Sequence, residues 1–180
     1  MVDSYRELSF FSVFPQELEP VVRGLLLDLP KIKGPKHRVS AESSFILDDR
    51  LYNSEIPWYK HIFYSEVEKL ILACLYSRHH DGHVRQKNVR VLLLAPEFWG
   101  VPFVLYRIGD YVVEILDDIL NHMDRLKTDQ MVYFCSQNPQ FVGLLKSRIV
   151  SYWNCYYRQG YPVFADYPGY GIGRCLGWWG

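Results

Sequence analysis

The sequence lacks the features that mark membrane-spanning, secreted and nucleic-acid-binding proteins. No stretch approaches the roughly eighteen uninterrupted apolar residues that a membrane helix needs. The N-terminus, MVDSYRELSFF, has no basic segment followed by a long apolar run, which a secretory signal requires. Twenty basic and twenty acidic residues cancel, whereas a nucleic-acid binder usually carries a basic excess. We therefore expect no membrane segment and regard nucleic acid as a disfavoured partner.

The four cysteines form no recognisable disulfide or zinc pattern. They are Cys74, Cys135, Cys155 and Cys175, and no two are spaced as C-x-x-C. Cys74 and Cys155 fall within apolar helical patterns, where a reduced cysteine behaves as a small hydrophobe. This usage predicts a reducing compartment, and we expect a cytoplasmic protein.

A local signature for catalysis, metal binding or cofactor binding is also missing. The cluster from His79 to His83 holds potential metal ligands, but adjacent histidines at a helix end point apart and no second cluster adds ligands. The glycines from Gly169 to Gly173 lack the preceding strand that a phosphate-binding loop needs. Asp117 and Asp118 are helix neighbours and do not face each other as a catalytic pair would. The sequence predicts no catalytic, cofactor or metal residue.

Helical periodicity is the strongest positive signal in the chain. Apolar residues recur at intervals close to 3.6, which predicts one all-α domain of about seven helices over residues 1–180. The predicted helical segments include 21–29, 45–52, 57–79, 83–94, 102–108, 111–125 and 140–157, with a helical or extended stretch at 131–135. Two segments break the pattern: a long basic loop at 30–44 and an irregular glycine- and aromatic-rich tail at 158–180.

The stretch from Asp81 to Met123 resembles HEAT-like repeat proteins. Its phrase Asp81-Gly82-His83-Val84-Arg85 looks like the turn and helix start of such a repeat. Pro102-Phe103 resembles the start of the next repeat, and Gly109-Asp110-Tyr111-Val112 resembles its inner turn. The resemblance covers roughly a quarter of the chain. It implies a curved stack of helical hairpins with a binding surface, and it implies no chemistry.

Acidic residues accompany the helix predicted at 111–125. Four of them recur at helical spacing and should share one side of it: Asp110, Glu114, Asp117 and Asp118. Such a row can bind a basic partner by charge complementarity, although a solvated face without a partner is the plainer interpretation. Aromatic side chains bring large contact area at low entropy cost. The candidate partner-binding residues are therefore the four acids together with Trp99 and Tyr106.

The size, the compartment, the 16% aromatic share and the missing catalytic signature together resemble bacterial immunity proteins. This resemblance implies a non-enzymatic protein-binding module without a cofactor, an inhibitor that covers the active site of a cognate bacterial toxin. A basic toxin domain is the partner that fits the acidic row. The alternative is a nucleic-acid-binding protein similar to HEAT-like DNA glycosylases. That alternative would use Trp58, Trp99, Trp153 and the basic segment Lys31–Arg38.

Overall fold

The structure, a computed structural model, describes residues 14–29, 50–95 and 98–179. Within these ranges the structure contains no β-strand and one isolated parallel β-bridge, between Leu51 and His79. The prediction of an all-α fold is confirmed. The same ranges contain nine α-helices: α1 Glu19–Asp28, α2 Glu66–Tyr76, α3 Gly82–Leu94, α4 Val101–Arg107, α5 Val113–Leu120, α6 Met123–Leu126, α7 Asp129–Gln137, α8 Pro139–Tyr152 and α9 Pro168–Cys175. No helix in the described part of the chain combines the length and the apolar character needed to cross a bilayer.

The chain divides into two compact units, Met1–Asn88 and Val89–Gly180. The division falls within α3. The prediction of a single domain over residues 1–180 stays a prediction, as does the resemblance to a HEAT-like stack. The basic loop predicted at 30–44 lies outside the described residues.

In the first unit, a capping box begins α2 and separates it from a preceding 3-10 helix. The Ser65 hydroxyl accepts a hydrogen bond from the Glu68 backbone N–H at 3.3 Å, and the Glu68 carboxylate accepts one from the Ser65 backbone N–H at 2.7 Å. The pair satisfies two N–H groups that a helix start leaves without acceptors. The prediction of one helix over 57–79 is therefore corrected, since a 3-10 helix covers Trp58–Phe63 and α2 begins only at Glu66.

The turn after α2 is held by backbone pairing and by a buried arginine. The carbonyl oxygen of Leu51 accepts a hydrogen bond from the His80 backbone N–H at 2.9 Å. The fully buried Arg85 donates from Nη1 to the carbonyl oxygens of His79 and His80, each at 2.9 Å. Because Leu51 pairs with this turn, the described end of the helix predicted at 45–52 is not helical.

In the second unit, the helix predicted at 111–125 begins later than expected and is interrupted. Helix α5 begins at Val113 and ends at Leu120, and the single-turn helix α6 follows it. Asp110 Oδ1 accepts a hydrogen bond from the Val112 N–H at 3.1 Å. This bond forms an Asx-type turn before the helix, so Asp110 is not the N-cap of α5.

The tail predicted as irregular at 158–180 contains helix α9. Proline occupies its first position, where a missing N–H has no cost. The helix ends in a Schellman motif around Gly177, whose φ is 73°. The Trp178 N–H donates to the Gly173 carbonyl at 2.8 Å, and the Gly177 N–H donates to the Arg174 carbonyl at 3.1 Å.

The glycines of α9 allow it to pack closely against α5 and α8. A Cβ built on Gly171 would lie 3.1 Å from Leu120 Cδ2, and one built on Gly169 would lie 2.8 Å from Ile149 Cγ2. Glycine disfavours a helix by about 1 kcal/mol relative to alanine. Close packing outweighs that cost here, which is why the glycine-rich segment is helical.

Helices α4, α5, α8 and α9 together supply the core of the second unit. Their fully buried side chains include Phe103, Leu105, Ile115, Leu116, Ile119, Leu145, Ile149 and Ile172. On α5, the core-facing residues alternate with Glu114, which is exposed, and Asp117, which is partly buried. The hydrophobic side of α5 thereby orients its acidic side away from the core.

Candidate functional site

Asp110 lies inside the second unit and not on the surface that helical spacing predicted. Its Oδ2 accepts a hydrogen bond from Arg107 Nη1 at 3.0 Å, and the two side chains are only 2% and 8% exposed. A buried carboxylate requires such a partner, because an unpaired charge away from water is costly. Asp110 therefore stabilises the turn before α5, and the acids that reach the surface are Glu114, Asp117 and Asp118.

A π-helix, Trp153–Tyr157, continues α8 and brings a tyrosine to the start of α5. The Tyr157 hydroxyl donates to the Tyr111 carbonyl at 2.6 Å and accepts from the Val113 N–H at 3.2 Å. It therefore accepts a hydrogen bond from one of the N–H groups that the start of a helix leaves without an acceptor. π-helical turns are rare overall, but those that occur often lie at functional sites.

The three surface acids of α5 differ in how their charge is balanced. Asp118 Oδ2 accepts a hydrogen bond from Arg90 Nε at 2.8 Å. Burial raises the pKa of the Asp117 carboxyl above its ordinary value of 3.8, and the Glu114 and Asp118 carboxylates raise it further. The negative charge on Asp117 is therefore held at a cost in the free protein.

Three tyrosines from the C-terminal part of the unit gather beside these acids. The Tyr157 ring stacks on the Tyr167 ring with centroids 5.6 Å apart, and the Tyr161 ring meets Tyr167 edge-on, also at 5.6 Å. Burial raises the pKa of Tyr161, and the Asp117 and Glu114 carboxylates raise it further. The Tyr161 hydroxyl thus lies within electrostatic reach of both acids. We call Glu114, Asp117, Tyr157 and Tyr161 the acidic tyrosine face.

Tyr167 is packed behind this face with its hydroxyl buried. The residue is 1% exposed, and its hydroxyl has no hydrogen-bond partner among the described residues. Burial raises the pKa of Tyr167, with smaller contributions in the same direction from Tyr157, Tyr161, Asp110 and Asp117. A buried hydroxyl without a hydrogen-bond partner is unusual in a folded protein and calls for an explanation.

The two aromatic candidates from the sequence lie on α4 and just before it. Trp99 is partly buried on the 3-10 helix Phe98–Gly100. The Tyr106 ring stacks on Phe141 with centroids 6.3 Å apart and lies 4.6 Å from the Arg107 guanidinium carbon. These contacts give Tyr106 a packing role within the unit. Partner binding by Trp99 and Tyr106 stays a prediction.

The residues that the sequence interpretation missed are Tyr157, Tyr161 and Tyr167. All three belong to or border the segment predicted as irregular, so their proximity to α5 was not expected. One signal was available, since Tyr167 precedes Pro168, and proline favours the first turn of a helix. The contact between that helix and α5 depends on long-range packing, which local patterns do not encode.

The histidine cluster at the end of α2 makes local contacts. His79 Nε2 lies 2.7 Å from the Asn53 carbonyl oxygen, and the Asp81 N–H donates to His79 Nδ1 at 3.1 Å. The His80 ring stacks on Tyr52 with centroids 5.1 Å apart. Over residues 14–29, 50–95 and 98–179, no three His, Cys, Asp or Glu side chains converge as metal ligands.

Comparisons with known proteins do not assign the chain to a family. It matches no protein-family model, and the searches of curated proteins and of solved structures likewise return no match. The chemistry of the acidic tyrosine face is therefore the basis for a functional proposal.

Proposed function

We propose that this protein is a non-enzymatic binding module whose acidic tyrosine face binds a basic surface of a protein partner. The observation that carries the proposal is the hydrogen bond from the Val113 N–H to the Tyr157 hydroxyl, which brings a tyrosine beside the acids of α5. The raised pKa of Asp117 supports it, since burial, Glu114 and Asp118 all oppose the negative charge of that carboxyl. A cationic group placed beside Asp117 would offset the repulsion between the carboxylates. This relief would contribute favourably to the free energy of binding.

Tyrosine side chains make the same face suited to a protein partner. Tyr161 is partly exposed, and Tyr157 lies beside it with ring centroids 6.5 Å apart. Tyrosine and arginine are the residue types enriched in protein interfaces, since they combine large contact area with hydrogen bonding. Acids flanked by tyrosines match a partner surface rich in lysine and arginine.

The more specific proposal is an immunity-type inhibitor that neutralises a cognate bacterial toxin by covering its active site. Support comes from the acidic character of the face and from the size and aromatic share of the chain. An acidic inhibitor surface can block a basic active site by charge complementarity, and it also accelerates association.

The test of binding compares three forms of the tagged full-length chain in extracts of its source cells. The forms are the wild type, Glu114→Gln/Asp117→Asn, and a control with the same charge change elsewhere, Asp124→Asn/Asp129→Asn. Asp124 and Asp129 are exposed acids of α6 and α7. We expect one stoichiometric basic partner that the wild type and the control retain at moderate salt and release at high salt. The face variant should lose it, and equal recovery by all three forms would refute the proposal.

The inhibitor version has its own test, which uses the captured partner. Expression of that partner alone should stop the growth of a bacterial host, and co-expression of the wild-type chain should restore growth. The Glu114→Gln/Asp117→Asn variant should restore growth less well. A partner that is harmless on its own would contradict the inhibitor version, while the binding proposal would be unaffected.

A further inference from the structure

We propose that the acidic tyrosine face contains a subsite for one arginine side chain of the protein partner, with the buried Tyr167 hydroxyl as its innermost hydrogen-bonding group. This inference rests on the proposed function and deepens it, because it names the group that the face binds. The carboxylates alone would not define such a site. The independent observation is the Tyr167 hydroxyl, which is buried and has no hydrogen-bond partner in the described part of the chain.

Tyr167 lies beside the start of α5, because its ring stacks on Tyr157, whose hydroxyl accepts a hydrogen bond from the Val113 N–H at 3.2 Å. Its ring is covered on one side by Tyr157, at an interplanar angle of 26°, and on another by the edge of Tyr161. Burial raises the pKa of Tyr167, and the Asp110 and Asp117 carboxylates raise it further, so both acids lie within electrostatic reach of its hydroxyl. Asp110 is already paired with Arg107, so Asp117 is the acid of this pair that lies at the surface and can meet an incoming cation.

The neighbouring hydroxyl of Tyr157 cannot take the role of Tyr167. It already donates to the Tyr111 carbonyl and accepts from the Val113 N–H. Tyr167 is different, because its oxygen can accept a hydrogen bond that nothing else described in the chain donates. An N–H donor from a ligand would satisfy this oxygen as an acceptor, and the same ligand could donate a second hydrogen bond to Asp117.

Arginine fits these requirements better than lysine. Its guanidinium is planar, carries several donors in a fixed arrangement and is weakly hydrated, so it can stack on a tyrosine ring and donate to two acceptors at once. Lysine carries a strongly hydrated point charge, which is costlier to bring beside a buried hydroxyl. The Tyr161 ring meets Tyr167 edge-on and is only partly buried, so in this proposal it rotates to admit the guanidinium.

The free protein carries an energetic cost that an occupied subsite would remove. A buried hydroxyl without a partner destabilises the fold. Replacing Tyr167 with phenylalanine removes the hydroxyl and keeps the ring that packs on Tyr157. The substitution should therefore leave the unfolding midpoint of the free protein unchanged or raise it, while it weakens ligand binding.

The experiment titrates the isotope-labelled full-length chain with N-acetyl-L-arginine amide and follows backbone amide NMR shifts. We expect saturable shifts at Asp117, Tyr161 and Tyr167 with a Kd on the order of millimolar. Tyr167→Phe should raise that Kd about tenfold, the effect of losing one hydrogen bond to a charged group. Tyr170→Phe is the matched control, because Tyr170 also lies in the aromatic tail but stacks on Trp179. N-acetyl-L-citrulline amide, a neutral analogue of similar shape, should produce no saturable shift.

The outcomes separate this inference from the proposed function. Shifts that are absent, or equal in the wild type and in Tyr167→Phe, overturn the subsite. A lower unfolding midpoint in Tyr167→Phe also overturns it, since the hydroxyl would then be satisfied in the free protein. If Glu114→Gln/Asp117→Asn loses the protein partner while Tyr167→Phe keeps full affinity, the binding face stands and the subsite is wrong. If neither variant changes partner binding, both proposals are wrong.

Discussion

A tyrosine hydroxyl from a distant part of the chain accepts a hydrogen bond from the first N–H of α5. Tyr157 makes two hydrogen bonds to the backbone there, and neither would be replaced if the hydroxyl were removed. We predict that Tyr157→Phe lowers the free energy of unfolding by about 1–2 kcal/mol. Tyr156→Phe, at a position that is 67% exposed, should leave stability unchanged. Chemical denaturation followed by circular dichroism measures both, and equal stabilities would show that these hydrogen bonds contribute nothing.

The ion pair between Arg107 and Asp110 is much better protected from solvent than the ion pair between Arg90 and Asp118. Asp110→Asn removes the charge and leaves the buried Arg107 without its carboxylate. We predict a loss of about 3–5 kcal/mol in the free energy of unfolding. Asp118→Asn is the comparison, because its partner Arg90 is 57% exposed and exposed pairs contribute at most about 1 kcal/mol. Similar losses in the two variants would contradict this ranking.

The contrast between these acids shows what a sequence pattern reveals at the scale of single residues. Helical spacing grouped Asp110 with Glu114, Asp117 and Asp118, and all four are near α5. Spacing does not reveal burial, however, and Asp110 is withdrawn from the surface by Arg107. A charge reversal at all four positions would therefore destabilise the protein as well as alter its surface. The surface acids Glu114 and Asp117 are the positions to change.

At the scale of the elements, helix α9 depends on glycines that a propensity argument would reject. A Cβ on Gly173 would clash with the Trp179 ring, whereas a Cβ on Gly143 of α8 would meet nothing within 4 Å. We predict that Gly173→Ala displaces Trp179 and lowers the unfolding midpoint. Gly143→Ala should instead stabilise the protein by about 0.5–1 kcal/mol, the ordinary gain in a helix interior.

Tryptophan fluorescence and thermal unfolding of the two alanine variants provide the measurement. Gly173→Ala should change the emission of the native state, because Trp179 packs against Tyr170 with centroids 5.4 Å apart. Gly143→Ala should leave the emission as in the wild type. A Gly173→Ala protein with native emission and an unchanged midpoint would show that Trp179 does not pack on α9.

The sequence was sufficient for the fold class and insufficient for several helix boundaries. Apolar periodicity predicts α3, α4 and α8 close to their observed positions, although the buried side of α3 also includes Arg85 and Asn88. The break before α2 was also readable, since Ser65 and Glu68 form an S-x-x-E capping box. The start of α5 was not readable, because it depends on Tyr157, which lies 44 residues beyond Val113. Long-range contacts of this kind also decided that the tail forms α9.

At the scale of the whole molecule, the zero net charge hides a local concentration of negative charge. The candidate site could be predicted from the sequence only in part. Glu114 and Asp117 were identified from helical spacing, whereas the tyrosines beside them depend on the packing of α9 against α5. The balanced composition alone points to no charged partner. The acids gathered on the acidic tyrosine face favour a cationic one.

Partner binding should depend on pH through Asp117. Its raised pKa means that it is protonated at a higher pH than an ordinary aspartate, and protonation removes the charge that attracts a cation. The affinity should be complete above this raised pKa and fall as the pH drops through it, beginning above 3.8. The stability of the free protein should change in the opposite direction and gain from a drop in pH through this pKa, because protonation relieves the repulsion around Asp117.

The affinity for the captured partner, measured by calorimetry from neutral to acidic pH, tests this dependence. Asp117→Asn carries no titrating carboxyl at this position, so its weaker binding should vary less over the acidic range. It should also not lower the unfolding midpoint of the free protein at neutral pH. Parallel pH profiles for the wild type and Asp117→Asn would exclude Asp117 as the group responsible.

The most direct measurement is a carbodiimide cross-linking experiment on the purified complex with the captured partner. This reagent joins a carboxylate to a lysine amine only where the two are in contact, and mass spectrometry identifies the joined residues. We predict cross-links from Glu114 or Asp117 to lysines of the partner, near its arginine-containing contact surface. Cross-links confined to other exposed acids, such as Asp124 and Asp129, would place the partner elsewhere and contradict binding through the acidic tyrosine face.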